Sequence, residues 1–480
     1  MKSLAVTAAV SAFVLDAAVA LARPGGGGSY SGGGGGGGGG GFGGGGGFGG
    51  GGGFGGGIHG STNVGSSGAG FFLFLLIGLI VFVAIAQQQR RLAAARGMAG
   101  GGAAASGGPL RGSASLEVLR ARDPALTEQS IADHVRQMAD ILQQAWCAGD
   151  MRPARPFVSD GVLSRFQVQL GLMRQEGRRN VMSDGRVLSA TVETVENAEP
   201  LDVVHVRVTA QARDAEVPAQ ATDEQIRKAL AHTAIEPYTE IWSLVRRTGA
   251  QSKPAGFAVG RACPSCGAPL DGGETIKCRY CGTLACSGEH DWVLAEITQL
   301  VEWQPRIPRD VGVEALRRSD PGVAREVLED RGSYVFWKWV QAGRSGEVSP
   351  LRKCASPPLL AGPELRLEAT RGASDVAVGG ADLVGCELGG RDGFDRVYVE
   401  ILWSARFGRS PAPTPSRVVM RLARRTGARS RLSMTALACQ ACGAPLMDSD
   451  STRCDHCGVE LAAGDQAWVL DAVLEPGPVS

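Results

Sequence analysis

Eight of the 12 cysteines stand in two sets of four: Cys263, Cys266, Cys278, Cys281 and Cys439, Cys442, Cys454, Cys457. Each set reads C-x2-C, eleven residues, C-x2-C. One C-x2-C turn aims two thiolates at one point, and two such turns supply the four sulfurs of a tetrahedral site. Glycine follows every pair (Gly267, Gly282, Gly443, Gly458) and relaxes the backbone where it bends around the metal. The spacing predicts two zinc ribbons, 263–281 and 439–457, each with one structural zinc. Four protein ligands leave no position for a catalytic water. Iron is chemically compatible with the same thiolate cage. A thioredoxin-like redox pair needs a C-x-x-C at a helix start in a βαβ unit, which the sequence lacks. His456, between Cys454 and Cys457, could serve as a ligand and is expected to face solvent instead. Cys147, Cys286, Cys354 and Cys386 have no pairing pattern and read as isolated thiols.

Beyond the cysteines the sequence holds no arrangement built for catalysis. It has no nucleophile elbow, phosphate loop or open metal site, and no catalytic residue is assigned. His205 falls on the polar side of an alternating strand and is expected in solvent. Arg246-Arg247 reads as a solvated strand end, and Trp146 and Trp242 as core. Nucleic acid is disfavoured as a partner on charge alone. Lys277 is the one cation between Cys266 and Cys278, and Arg453 the one between Cys442 and Cys454. A phosphate-reading surface needs several. Over the whole chain 49 basic residues meet 48 acidic ones, a formal charge of +1.

The ribbons belong to a duplicated unit. Leu116-Glu117-Val118-Leu119-Arg120, then Asp123-Pro124, matches Val313-Glu314-Ala315-Leu316-Arg317, then Asp320-Pro321. Arg246-Arg247-Thr248-Gly249-Ala250 recurs unchanged at 424–428, and Trp292-Val293-Leu294 recurs at 468–470. In the first copy Asp123-Pro124 is expected to start a helix. Its apolar stripe is Ile131, Val135, Met138, Leu142 and Trp146, and Gly149 ends it. A second helix carries Val162, Leu163, Phe166, Leu170 and Met173. The period then changes to two. Val204, Val206, Val208, Ala210 and Ala212 alternate with His205, Arg207, Thr209, Gln211 and Arg213, a half-buried antiparallel strand. Tyr238 to Arg246 reads as another strand. Helices first and strands after give α+β, a curved sheet wrapped on helices. In the second copy Pro411, Pro413 and Pro415 fall where a strand should begin, so its sheet is expected to be shorter.

Ahead of the modules the chain reads as an address. Residues 1–22 have a basic start (Lys2), an apolar stretch and Ala20-Leu21-Ala22, a signal peptide. Residues 23–67, in which positions 25–60 hold 28 of the 71 glycines, form a low-complexity tether with Phe42, Phe48 and Phe54 spaced along it. Residues 68–88 contain Phe71 to Ala86 without a charge, long enough for one transmembrane helix. Arg90, Arg91 and Arg96 follow, which places that end in the cytoplasm. With the signal cleaved the protein is single-pass; uncleaved, the two segments form a hairpin. Both put everything after residue 90 on the cytoplasmic side, where thiols stay reduced. Residues 89–115 are a flexible linker.

A family likeness rests on Asp123-Pro124, Ala145-Trp146-Cys147-Ala148-Gly149-Asp150 and Glu240-Ile241-Trp242-Ser243-Leu244-Val245-Arg246. These runs resemble the Tim44-like domain, named for a mitochondrial inner-membrane translocase subunit and also present in bacterial membrane proteins. The signal, glycine tract and single span resemble the bacterial members. The likeness covers 116–300 well and 313–475 weakly; there Trp339-x-x-Ala342-Gly343 remains, while the Trp242 strand has become Val418 to Arg425 without tryptophan. It implies two cone-shaped modules of the nuclear-transport-factor-two type, at 116–300 and 313–475, each with its ribbon inserted before a closing strand such as Trp292 to Ile297. It also implies contact with the lipid bilayer of the bacterial inner membrane and a non-enzymatic docking role toward an unidentified protein partner. Small-ligand binding or catalysis in the cone, and nucleic-acid binding by the ribbons, are the competing readings.

The basic residues behind the apolar run set a topology test. A reporter joined after Ser480 is expected to be active only as a cytoplasmic fusion. Activity on the outer side of the membrane would overturn the address and reopen a disulfide reading of the cysteines.

Overall fold

The computed structural model describes residues 115–252, 262–270, 277–285, 287–300, 303, 312–410 and 413–429. Beyond them it describes 439, 441, 442, 444, 446, 451–465 and 467–475. The segments read from the sequence as signal peptide, glycine tract, apolar run 68–88 and linker lie outside these residues, save Ser115. Among the described residues no helix is long and apolar enough to cross a membrane.

The first module opens with α1 (Leu116–Arg120), α2 (Glu128–Ala148) and α3 (Asp160–Gln175). All five stripe residues of α2 and all five named on α3 are buried in one apolar cluster. The start of α2 differs from expectation. Asp123 lies outside it, and Thr127 is the cap, exchanging side-chain and backbone hydrogen bonds with Ser130. Gly149 closes the helix at φ 68, as the sequence suggests. Four antiparallel strands follow in simple order: β1 (Arg178–Ala198), β2 (Leu201–Pro218), β3 (Glu236–Arg247) and β4 (Val293–Gln299). Val204, Val206 and Val208 on β2, with Trp242 and Leu244 on β3, face the helices, so the period-two reading of this face holds. Between β2 and β3 an added helix, α4 (Asp223–Ala231), packs Ile226, Ala229 and Leu230 on Val181, Ala215 and Val217.

The second module repeats the order with α5 (Val313–Ser319), α6 (Arg325–Ser345) and the strands β5 (Ala373–Glu387), β6 (Phe394–Phe407), β7 (Thr414–Arg425) and β8 (Val469–Leu474). No counterpart of α3 survives whole. Pro357, Pro358, Gly362 and Pro363 break that stretch into α7 (Pro357–Ala361) and two 3-10 turns. Two sequence expectations are corrected here. Trp339 is not the counterpart of Trp146. Gly149 and Gly346 both cap their helices in the left-handed region, which sets Gly343 opposite Trp146 and Trp339 opposite Leu142. The prolines do not shorten β7 either, since Pro415 lies within it, paired with Ser404. The sheet is shorter in its first hairpin instead: β5 and β6 have 15 and 14 residues against 21 and 18 in β1 and β2.

The modules pack head to tail rather than face to face. α3 lies along α6. Ala324 and Val327, at the start of α6, cover Leu201, Val203, Val245 and Val293 on the side of the first sheet away from its helices. Arg178 bridges to Asp375 at 2.7 Å, and the Gln169 amide donates to the Val376 carbonyl at 3.2 Å. The matching faces at the two free ends are polar. On the second sheet Arg396 and Asp471 stand where the first has Val203 and Ala295, ion-paired at 3.3 Å. On α2, Thr127 and Ser130 stand where α6 has Ala324 and Val327.

Within α6, Gly332 is required by close approach. A Cβ there would lie 2.5 Å from Val399 Cγ1 on β6. Gly332→Ala is expected to lower stability by about 1–3 kcal/mol through overpacking. Helix propensity alone would raise it by about 1 kcal/mol. Thermal unfolding of the variant decides between the two.

Candidate metal centres

Each ribbon leaves the sheet between its last two strands, after β3 in the first module and after β7 in the second. All eight sequence-predicted cysteines come together as two groups of four. The Cys263 and Cys281 sulfurs are 3.6 Å apart, those of Cys266 and Cys278 3.7 Å. In the second ribbon Cys439 and Cys457 are 3.8 Å apart, Cys442 and Cys454 3.7 Å. A tetrahedron with metal–sulfur bonds of about 2.3 Å has edges of about 3.8 Å, whereas a disulfide would need about 2.05 Å. The sulfurs therefore have the spacing of a tetrathiolate cage.

The turns explain the spacing. The Gly267 amide donates to the Cys263 carbonyl and the Cys263 amide to the Ala268 carbonyl. Gly282 and Cys278 repeat that pattern with Thr283, and Gly458 and Cys454 repeat it with Val459. Gly267, Gly282 and Gly458 all have φ between 71 and 76, where a side chain would strain the knuckle. Burial pushes the Cys263 and Cys439 thiols up to about 12. The Thr283 hydroxyl and amide bring exposed Cys281 down to about 6. Four thiolates this close repel one another, so a divalent cation would bind with release of protons. His456 is exposed and stands outside the sulfur group. Cys354 is buried and Cys147 and Cys386 half-buried, each apart from the cages; Cys286 is outside the described residues.

The necks of the ribbons are built from the repeated motifs. Arg246, the penultimate residue of β3, donates from Nη2 to Asp123 Oδ2 at 2.8 Å, and its guanidinium lies 4.4 Å over the Trp292 ring. Arg424 does the same with Asp320 at 2.8 Å and Trp468 at 4.5 Å. The Arg247 amide donates across the neck to Gly288, and the Arg425 amide to Gly464. Thr248 and Thr426 donate to Asp202 and Asp395, and Gly249 and Gly427 turn the chain at φ 85 and 84. His134 sits beside the first lock, with Nε2 3.4 Å from the Trp292 carbonyl. Burial, with the nearby Arg246 charge, pushes its imidazole down to about 4 against the pull of that carbonyl, which keeps it neutral. Arg331 holds the matching Trp468 carbonyl at 2.8 Å. Arg246 is thus no solvated strand end; its side chain is 2% exposed. Asp320 and Arg424 are buried likewise.

His205 is a second correction. It is buried, not in solvent, because Trp303 and the second module close over that face of the sheet. Its Nδ1 is 2.9 Å from Ser243 Oγ and its Nε2 2.8 Å from Glu196 Oε1. A Glu–His–Ser chain invites comparison with a catalytic triad. The space it meets is a cavity of about 40 Å³, room for a water or so, against the roughly 300 Å³ and more of ligand pockets. The sequence offered no sign of this array, since its cover comes from elements far along the chain. A larger groove of about 380 Å³, lined by Cys386, Glu387 and Tyr398, lies open on the second sheet. Trp146 and Trp242 are core, as expected, with indole hydrogen bonds to Asn180 and Glu240.

Residues 113–255 match the family model of the Tim44-like domain. One solved structure, described as an NTF2-like protein involved in plasmid conjugation, is 8% identical. The alignment covers 62% of this chain and 92% of that one, with a TM-score of 0.13, too slight a likeness to support an argument. No curated protein matches the chain.

Elemental analysis tests the cages. The purified chain is expected to carry two zinc ions, released by thiol-modifying reagents. Replacing Cys263 and Cys278 by Ser should remove one and destabilise the first module, because metal binding in such knuckles is folding free energy. Iron, or no metal in a well-folded sample, would refute the zinc assignment.

Proposed function

We propose that this protein, whose residues 113–255 match the Tim44-like domain, is a non-enzymatic scaffold which docks a protein partner at the cytoplasmic face of a cell membrane. The observation that carries this reading is the family match at 113–255, on a module that follows an uncharged apolar run and a cluster of arginines. In this reading residues 68–88 anchor the chain once, the glycine tract lies outside, and the modules take the cone-shaped form that the family likeness implies. Each ribbon holds one zinc through its four cysteines and stiffens a protrusion from the sheet. The bilayer is the second partner. Nucleic acid is disfavoured, since Arg453 is within 3.4 Å of Glu460 and few other described ribbon residues are basic.

Partner contact is assigned to the first module. It alone keeps the α4 segment and the long β1–β2 hairpin, whose outer residues are exposed. The second module spends the start of α6 covering its neighbour, and its own outer sheet face is closed by ion pairs. Deleting it would uncover Leu201, Val203, Val245 and Val293, so a gentler test is preferable. Photo-crosslinking residues placed at exposed Leu188 and Lys228, and at exposed Arg391 and Arg417, can be compared in membranes. Adducts are expected from the first pair. Adducts from the second pair alone would overturn the assignment.

A further inference from the structure

We infer that the buried Asp330 carboxyl, seated beside Asp160, binds a proton, and that this proton holds the two modules together. Asp330, on α6 of the second module, enters the first turn of α3 in the first. Its Oδ1 accepts from Ser159 Oγ at 2.5 Å and from the Gly161 amide at 3.1 Å. The seat is shaped for this group. A Cβ on Gly161 would lie 2.2 Å from Asp330 Oδ1 and 2.8 Å from its carbonyl oxygen, so only glycine admits the carboxyl. Asp160, which follows Ser159 in the chain, is fully buried and ion-paired with Arg155 at 3.9 Å.

Two carboxylates withdrawn from water at one spot cannot both stay ionised cheaply. From other elements Arg165 on α3 and Glu296 on β4 line the same small cavity at the seam as Asp330, and Asp160 acts on it electrostatically from the start of α3, with Arg155 3.9 Å from Asp160. The helix of Asp330 adds Glu326, Arg331 and Glu329, the last with Arg325 at 3.9 Å. Behind Ser243, on the far wall, stands His205. Burial and the neighbouring Asp160 both disfavour a negative charge on Asp330, so a proton there relieves the cost. Burial pushes the Asp330 carboxyl up to about 8, with Asp160 adding to it, while Ser159 and Gly161 pull the other way. The counterpart of Asp330 in the first module is Asp133, exposed and paired with Arg136 at 2.8 Å, an ordinary surface carboxylate. Only the docked copy is placed to bind the proton.

The sign follows from linkage. The docked state binds a proton that the undocked state, with ordinary carboxyls, releases above about pH 4. Docking is strongest at low pH, weakens as pH rises, and stops changing above about 8. Hydrogen exchange of the Gly161, Val162 and Leu163 amides in the full chain reads this, after correction for intrinsic exchange. The opening constant of the wild type is expected to rise about tenfold per pH unit from 6 to 8 and then level off. Asp330→Asn, which keeps the shape and the acceptor oxygen, should be flat at the low-pH value. Asp160→Asn removes the neighbour's repulsion and should shift the wild-type curve to lower pH. The same slope in wild type and Asp330→Asn would overturn the inference. So would an Asp330→Asn chain that is open at every pH, since that would mean the charged carboxylate is what docks.

Discussion

The structure depends on a buried arginine at the neck of each ribbon. A four-cysteine ribbon is a small body hung between two strands, and without a fixed neck it would only be tethered to the sheet. Arg246 and Arg424 fix it by joining the two strands to the module's opening segment. Each guanidinium is ion-paired to an aspartate from before the first long helix and stacked on the tryptophan that opens the closing strand. Charges this deep are costly unless paired, and stacking supplies about 0.5–2 kcal/mol more in such desolvated places. The arrangement occurs twice with nearly the same distances, although much else differs between the modules.

That repetition is also the part of the site most legible in the sequence. Asp123-Pro124, Arg246 to Ala250 and Trp292 to Leu294 were visible as repeated words, and so were the eight cysteines. Their meeting was not visible, because the partners are 123 residues apart and a single sequence does not record pairing. Three motifs kept together through a duplication were nonetheless a signal that they act together. Reading Arg246 as a strand end missed it. Apolar periodicity did better, since each stripe residue of α2 and α3 depends only on its own helix turning one face inward.

His205 failed for a different reason. Strict alternation assigns one face of β2 to solvent, and along Arg207, Gln211 and Arg213 that is what the strand does. Near its start the same face is covered by Ala324, Val327 and Trp303, which come from outside the first sheet. Head-to-tail packing also explains why the copies diverged where they did. The residues that meet, Val203 and Ala295 on one side and Ala324 and Val327 on the other, are apolar or small. Their unmatched equivalents became Arg396, Asp471, Thr127 and Ser130. Duplication followed by specialisation of opposite faces accounts for a two-unit stack with polar ends.

The neck lock is tested most directly by a double-mutant cycle on Asp123 and Arg246, read by denaturant unfolding of the metal-loaded chain. Asp123→Asn or Arg246→Met alone leaves a buried charge without its counterion and should cost about 3–5 kcal/mol. The double variant should cost at least about 2 kcal/mol less than the sum of the two. Each single variant should also release metal faster from the Cys263–Cys281 cage than from the Cys439–Cys457 cage. Additive costs, with metal release unchanged, would contradict the account.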